Sequence, residues 1–179
     1  MIITISGKAG SGKSTVAKLL AEKLKLRHYS IGDLMRVMAS DKGMSLIELN
    51  KIAEKDKSID FELDEKLKEL GKSKDNFVVD GRLTAFFIPH AEVKVFLDTD
   101  DKVRAERILK DKREHEKSKD LNEMILKIRN RENSEKKRYK QYYGVDYLDK
   151  KLYNFVIDTT NLNQNQVVEK ILEFIKNIK

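Results

Sequence analysis

The residues best equipped for chemistry begin at Gly7. The run Gly7-Lys8-Ala9-Gly10-Ser11-Gly12-Lys13-Ser14 fits the pattern G-x-x-x-x-G-K-[ST]. Glycines let successive backbone N–H groups turn inward around a phosphate, and a helix opening after them adds its positive end. A lysine at this spacing reaches the β- and γ-phosphates as a point charge, and the hydroxyl beside it, Ser14, is a ligand for Mg²⁺. The flanking residues agree. Ile2-Ile-Thr-Ile reads as a buried strand before the run, and Val16, Leu19, Leu20 and Leu24 keep helical spacing after it. A partner acid follows in Phe77-Val-Val-Asp80, an apolar strand ending in a carboxylate. That is the form of a Walker-B acid, which holds the metal, often through water. Ser14 and Asp80 are the candidate metal residues of a nucleoside triphosphate site.

Three classes of protein use such a loop. A guanine-specific switch carries Asn-Lys-x-Asp, but Asn50-Lys51 continues as Ile52-Ala53, and Asp80-Gly81 does not fit Asp-x-x-Gly. Transporter ATPases need a Leu-Ser-Gly-Gly-Gln signature, absent here, and a longer chain. Kinases of phosphorylated small molecules need a second anion site facing the loop, and arginine suits it because its bidentate fork matches phosphate. Nine of the 37 basic residues are arginine, so their positions are informative. Arg36 and Arg82 fall before and just after Asp80, and Arg104, Arg107, Arg113, Arg129, Arg131 and Arg138 gather further on. Arg104 is expected to be an exposed helix residue.

These groups must be positioned by alternating strands and helices. Further strands are read at His28-Tyr-Ser30, Asn76–Asp80, Val93–Leu97 and Asn154–Asp158, and a last helix on Val167, Ile171, Phe174, Ile175 and Ile178. Such alternation implies parallel β-α-β units in a three-layer α/β fold. Residues 31–74 hold about three helical segments, and residues 99–151 form a long charged helical region. Insertions at the carboxyl ends of parallel strands are where such folds bind ligands. With no repeat, no low-complexity tract and a single proline, Pro89, the chain is expected to form one domain.

Composition narrows the remaining choices. Among 179 residues there is no Cys, which excludes thiol catalysis and Cys-ligated zinc, and His28, His90 and His115 are scattered. The net charge of +7 suggests an anionic partner, although a solvated helical face laced with charge gives the same balance. No apolar run approaches the roughly 18 residues that span a bilayer. The N-terminus lacks the basic region of a signal peptide. A soluble cytoplasmic protein with no membrane partner is expected.

The segments Ser30-Ile-Gly-Asp33-Leu-Met-Arg36, Gly43-Met-Ser-Leu, Ile59-Asp60-Phe-Glu-Leu-Asp64 and Asp80-Gly-Arg82-Leu83 carry a resemblance, as do Val103-Arg104-Ala-Glu-Arg107-Ile108 and Arg129 through Tyr139. Nearly end to end, the chain resembles the archaeal-type cytidylate kinases, within the P-loop nucleoside monophosphate kinases. The resemblance implies a P-loop NTPase fold: a parallel five-stranded sheet flanked by helices, in a single domain over residues 1–179. Residues 31–74 would be the monophosphate-binding insertion and about 111–119 a short lid. The implied reaction moves the γ-phosphoryl group of ATP, with Mg²⁺, to CMP or dCMP, by a monomer with no nucleic-acid partner. Gly7 through Thr15 would hold the ATP phosphates, Arg107 would lie against adenine, and Arg113 would belong to the lid. Ser30, Asp33 and Arg36 would begin the acceptor site, with Asp60 and Asp64 near the base or ribose. Gly81 and Arg82 would meet the acceptor phosphate, and Arg131, Glu135 and Arg138 would grip phosphate and sugar. Lys13, Arg82, Arg131 and Arg138 would be catalytic.

Some positions depart from that pattern or have a plainer reading. Asn154 stands where an Asp is usual, and Lys8 and Ala9 replace commoner loop residues. Asp60 and Asp64, at i and i+4, could simply face water. Arg131, Glu135 and Arg138 share a helical face and could be intrahelical ion pairs. Tyr139, Tyr142 and Tyr143 are expected to pack the helix down, and His28 reads as a strand-end residue. An adenylate kinase is the nearest alternative, but it usually carries Gly-Phe-Pro-Arg where this chain has Gly81-Arg82-Leu83-Thr84. An ATP-dependent nucleic-acid binder would show salt-sensitive affinity, and no aromatic-basic motif supports it. For a kinase no general base is required, because the acceptor phosphate oxygen is already a nucleophile. Catalysis is in-line positioning and charge neutralisation.

Overall fold

The structure, a computed structural model, describes residues 1–44, 46–73, 76–111, 118 and 120–178. Strands and helices alternate in the order β1 (Ile2–Gly7), α1 (Lys13–Leu24), β2 (Arg27–Ser30), α2 (Ile31–Asp41), α3 (Leu46–Ala53), α4 (Lys57–Lys72) and β3 (Phe77–Asp80). They continue as α5 (Thr84–Phe87), β4 (Val93–Asp98), α6 (Asp101–Lys110), α7 (Leu121–Tyr143), a 3₁₀ turn at Lys150–Leu152, β5 (Phe155–Asp158) and α8 (Gln164–Asn177). The five strands form one sheet in the order β2-β3-β1-β4-β5, and every pairing is parallel. This is the five-stranded α/β architecture expected from the sequence.

Alternation along β1 sends its side chains to two different layers. Ile3 and Ile5 pack with Val78, Val95 and Leu97 under Val16 and Leu20 of α1 and Val168 and Ile171 of α8. Ile2 faces the other way, with Phe77, Val79, Leu67 of α4 and Ile88. A strand buried on both faces excludes charge and favours apolar side chains, which is why Ile2-Ile-Thr-Ile carries no charge and a single hydroxyl. Strand order reverses at β1, between β3 and β4, so the crevice outside the strand ends opens there. That crevice receives the glycine-rich loop.

Every strand shifts at one end by one or two residues from the sequence reading: β1 runs on to Gly7, β3 starts at Phe77 rather than Asn76, and β4 runs on to Asp98. β2 starts at Arg27 rather than His28, and β5 starts at Phe155 because Asn154 serves as a clamp. Its Oδ1 accepts from the Lys94 N–H at 2.7 Å and its Nδ2 donates to the Glu92 carbonyl at 2.9 Å. The amide thus fastens the start of β5 to β4. The short helix α5 was not legible, since Thr84-Ala-Phe-Phe carries too few residues for a period.

Candidate functional site

Register brings the strand ends together. Ile5 of β1 and Ser30 of β2 both lie opposite Asp80 of β3. α1 begins at Lys13 with Gly12 in the left-handed region and no side chain capping it. The first N–H groups of that helix therefore face the cleft as an anion site. The cleft has a volume of about 1060 Å³. Its lining includes the loop from Ala9 to Thr15, Arg107 of α6, Asp33, Arg36, Asp60 and Asp64 of the insertion, Asp80, Gly81 and Arg82, and Arg131, Glu135 and Arg138 of α7. Gly7, Lys8 and Ser30 do not line it. Arg113 and most of the expected lid segment lie outside the described residues; Asp111, at its start, lines the cleft.

The Asp80 carboxylate is held from several sides. Its Oδ2 accepts from Ser14 Oγ at 2.7 Å and Ser30 Oγ at 3.3 Å, and its Oδ1 lies 2.8 Å from His28 Nε2. Hydroxyl and carboxylate oxygens are the hard donors that Mg²⁺ takes. Among the described residues no group of three or more His, Asp or Glu could hold a metal alone. A magnesium ion on Ser14 and Asp80 would thus complete its shell with nucleotide phosphates and water, as that ion usually does. The donor set fits.

Lys13 is buried, and its Nζ donates to the Lys8 carbonyl at 2.7 Å. Burial, followed by the positive charge of Arg82, pushes its ammonium down to about 7. An arriving triphosphate would restore that charge. In the same cleft, Glu135 is buried between two arginines. Arg82 Nε donates to its Oε2, Arg131 Nε to its Oε1 at 3.1 Å, and Tyr147 OH reaches it at 3.4 Å. Burial alone would raise this carboxyl, but Arg82 and then Arg131 hold it below the usual range. The pair of guanidiniums is thereby aimed before any ligand arrives.

The insertion meets α7 through two contacts that the sequence did not show. Arg138 Nε lies 2.9 Å from Asp60 Oδ2, both buried, and Tyr143 OH donates to Asp64 Oδ2. Asp60 and Asp64 therefore do not face water; burial raises both carboxyls, Asp64 to about 6. The shared helical face also divides. Arg131–Glu135 is an intrahelical pair, whereas Arg138 reaches across to the insertion. At the rim, Arg36 Nη1 pairs with Asp33 at 2.5 Å, while Ser30 caps α2 by accepting from the Asp33 N–H at 3.4 Å. Tyr139 and Tyr143 pack with Leu83, Val145 and Tyr147, as expected of the aromatic cluster.

Arg107 donates to Ser11 and Leu162 carbonyls at 3.4 Å and to the Thr159 carbonyl at 2.9 Å. The expectation that Arg104 is exposed is wrong: only 1% of it reaches solvent. Helical spacing marks which residues share a face but not what covers that face. His28 was also missed as a site residue. It lies two residues before Ser30 on β2, hence on the same strand face, but its reach to Asp80 depends on β2 pairing with β3.

The Asp64 carboxyl gives a stability test. Its value rises from 3.8 to about 6 on folding, chiefly through burial. Between those values the folded chain holds a proton that the unfolded chain has lost. The group's contribution to stability is therefore full below about pH 4 and is lost as pH rises through about 6. Asp64→Asn keeps an acceptor for Tyr143. Relative to wild type, its melting temperature should be higher at pH 7 than at pH 4. A difference that does not change with pH would contradict the buried assignment.

Residues 2–161 match the model of the cytidylate kinase-like family. A cytidylate kinase of Archaeoglobus fulgidus is 39% identical over 176 residues, covering 98% of this chain and 95% of that one. A cytidylate kinase of Natronomonas pharaonis is 42% identical over 168 residues, covering 93% and 85%. In structure, a shikimate kinase of Bacteroides thetaiotaomicron superposes with a TM-score of 0.69 at 15% identity, covering 99% and 97%, a likeness of fold alone. With a family model spanning most of its length and full-length relatives near 40% identity, the chain belongs to the cytidylate kinase-like family.

Proposed function

We propose that this protein transfers the γ-phosphoryl group of ATP, bound with Mg²⁺, to CMP or dCMP, forming CDP or dCDP and ADP. The observation that carries this reading is that the phosphate loop with Lys13 and the arginines Arg82, Arg131 and Arg138 line one cleft. Two anion sites in one cleft are what transfer between two phosphates requires. The cytidylate kinases among its relatives support the acceptor.

Each group then has a role. Ala9 through Thr15 cradle the triphosphate, Lys13 neutralises charge on the transferring group, and Ser14 and Asp80 would hold the magnesium. The metal, when bound, neutralises charge between the β- and γ-phosphates. Arg82 and Arg131, oriented by Glu135, and Arg138 bind the acceptor phosphate, with Arg36 at the rim. Arg107 flanks adenine. Asp60 and Asp64 are acceptors suited to the amino group of cytosine, where uracil would present a carbonyl oxygen to a carboxylate. The acceptor oxygen attacks in line, and its own charge replaces a general base.

Phosphorus NMR of the enzyme with MgATP and CMP tests the reaction itself. The expected spectrum gains the α and β resonances of CDP as ATP is consumed. Release of inorganic phosphate alone would contradict the proposal.

A further inference from the structure

The phosphate loop is held from behind by an arginine outside the roles above. Arg104 of α6 is the bulkiest fully buried side chain among the described residues. Its Nη1 donates to the Ala9 carbonyl at 3.1 Å. Its Nη2 pairs with Asp101 and lies 3.2 Å from Glu132 Oε2 of α7. Asp101 also takes Arg129 at 2.7 Å, and Glu132 lies 3.6 Å from Lys8 of the loop. Taking a guanidinium out of water is costly unless partners offset it. Here Ala9 and Asp101 accept hydrogen bonds from its Nη atoms and Glu132 adds a nearby opposite charge, while its Nε has no hydrogen-bond partner among the described residues.

One of those partners is loop backbone, and peptide geometry gives the contact a consequence. In a trans peptide the C=O and N–H point in opposite directions, and the described chain has no cis bond. Drawing the Ala9 carbonyl outward onto Arg104 turns the Gly10 N–H the other way, toward the cleft that Ala9 and Gly10 line. Gly10 itself rests on α6. Its φ is +74°, and a Cβ there would stand 2.6 Å from the Arg104 carbonyl oxygen. Three residues along α6, Arg107 holds the Ser11 carbonyl at 3.4 Å, with the same consequence for the Gly12 N–H.

We propose that Arg104 is a positioning residue of the donor site: by fixing the Ala9 carbonyl it aims the Gly10 N–H at the nucleotide phosphates. This rests on the reading of the loop as an ATP site. Donors fixed before the reaction need no reorganisation when charge moves, so the gain appears in both nucleotide affinity and rate. CMP binding, assigned to Arg82, Arg131 and Arg138, is not set by this contact.

Calorimetric affinities for MgADP and for CMP, with kcat and melting temperature, test the proposal in wild type, Arg104→Met and Arg104→Lys. Arg104→Met should weaken MgADP by about tenfold or more, about 1.4 kcal/mol, and lower kcat, while CMP affinity stays within about twofold. Arg104→Lys keeps a donor for the Ala9 carbonyl and should recover part of the loss. Unchanged MgADP affinity in folded Arg104→Met, or equal loss of both ligands, would overturn the assignment. Should Arg104→Met fail to fold, amide NMR of the wild type titrated with tripolyphosphate decides. The Gly10 amide should shift with the Ser14 and Thr15 amides. A silent Gly10 beside moving neighbours would overturn the proposal. Failure of the wild type to bind MgADP at all would instead remove the ATP reading beneath it.

Discussion

Lys13→Ala should lower kcat by about 10²-fold or more while raising the KM for ATP far less. The magnitude is that of removing one preorganised donor aimed at developing charge. The charge it opposes moves onto the bridging oxygen during transfer, so its interaction is stronger in the transition state than with bound ATP. A buried ammonium is the more effective because little water competes with it. The same burial, with Arg82 next, pushes the free lysine down to about 7. Triphosphate binding pulls the value back up. ATP binding near pH 7 to 8 should therefore take up protons, and affinity should fall as pH rises above about 7. Calorimetry in buffers of different ionisation enthalpy reads that uptake, and Lys13→Ala should abolish it. A variant with kcat within about threefold of wild type, under 1 kcal/mol, would remove the assignment.

Arg138→Ala should cost about 10- to 150-fold in kcat/KM for CMP, the equivalent of a charge-assisted hydrogen bond of about 1.5–3 kcal/mol. Were Arg138 only an intrahelical ion pair, its loss would cost about 0.2–0.5 kcal/mol of helix stability and no catalysis. The structure excludes that simple alternative, since Arg138 reaches Asp60 on another helix. Its burial also means that the alanine variant is not thermally silent, because removing it leaves Asp60 buried without its partner. Arg138→Lys keeps the charge and part of the packing, yet should restore little activity, as a point charge lacks the planar fork. Assays with CMP varied at saturating MgATP separate the cases. Near-normal turnover with a lowered melting temperature would return Arg138 to a structural role.

Local patterns made the donor half of the site legible. The loop, its strand and its helix are contiguous, so Gly7 through Thr15 could be read without knowing the fold. Asp80 was legible because an apolar run ending in an acid has few other uses beside such a loop. The acceptor arginines stood out against a lysine background. What remained hidden lies in contacts between distant segments. Tyr143 and Asp64 meet across 79 residues, and His28 reaches Asp80 across 52, through packing that no periodicity encodes. Arg104 was misread for a related reason. Charged residues are almost never fully buried unless paired, and its partners Ala9 and Glu132 come from other parts of the chain. Asn154, noted only for departing from the family pattern, has a role in the sheet instead.

An assay of ADP release with MgATP and each nucleoside monophosphate in turn decides whether this is a kinase of cytidine monophosphates. CMP or dCMP should be the best acceptor, with AMP poorer by about 10²-fold or more in kcat/KM. A pocket built to hydrogen-bond one base leaves its polar groups unpaired with another. AMP phosphorylated as well as CMP, or no acceptor used at all, would contradict the proposed reaction.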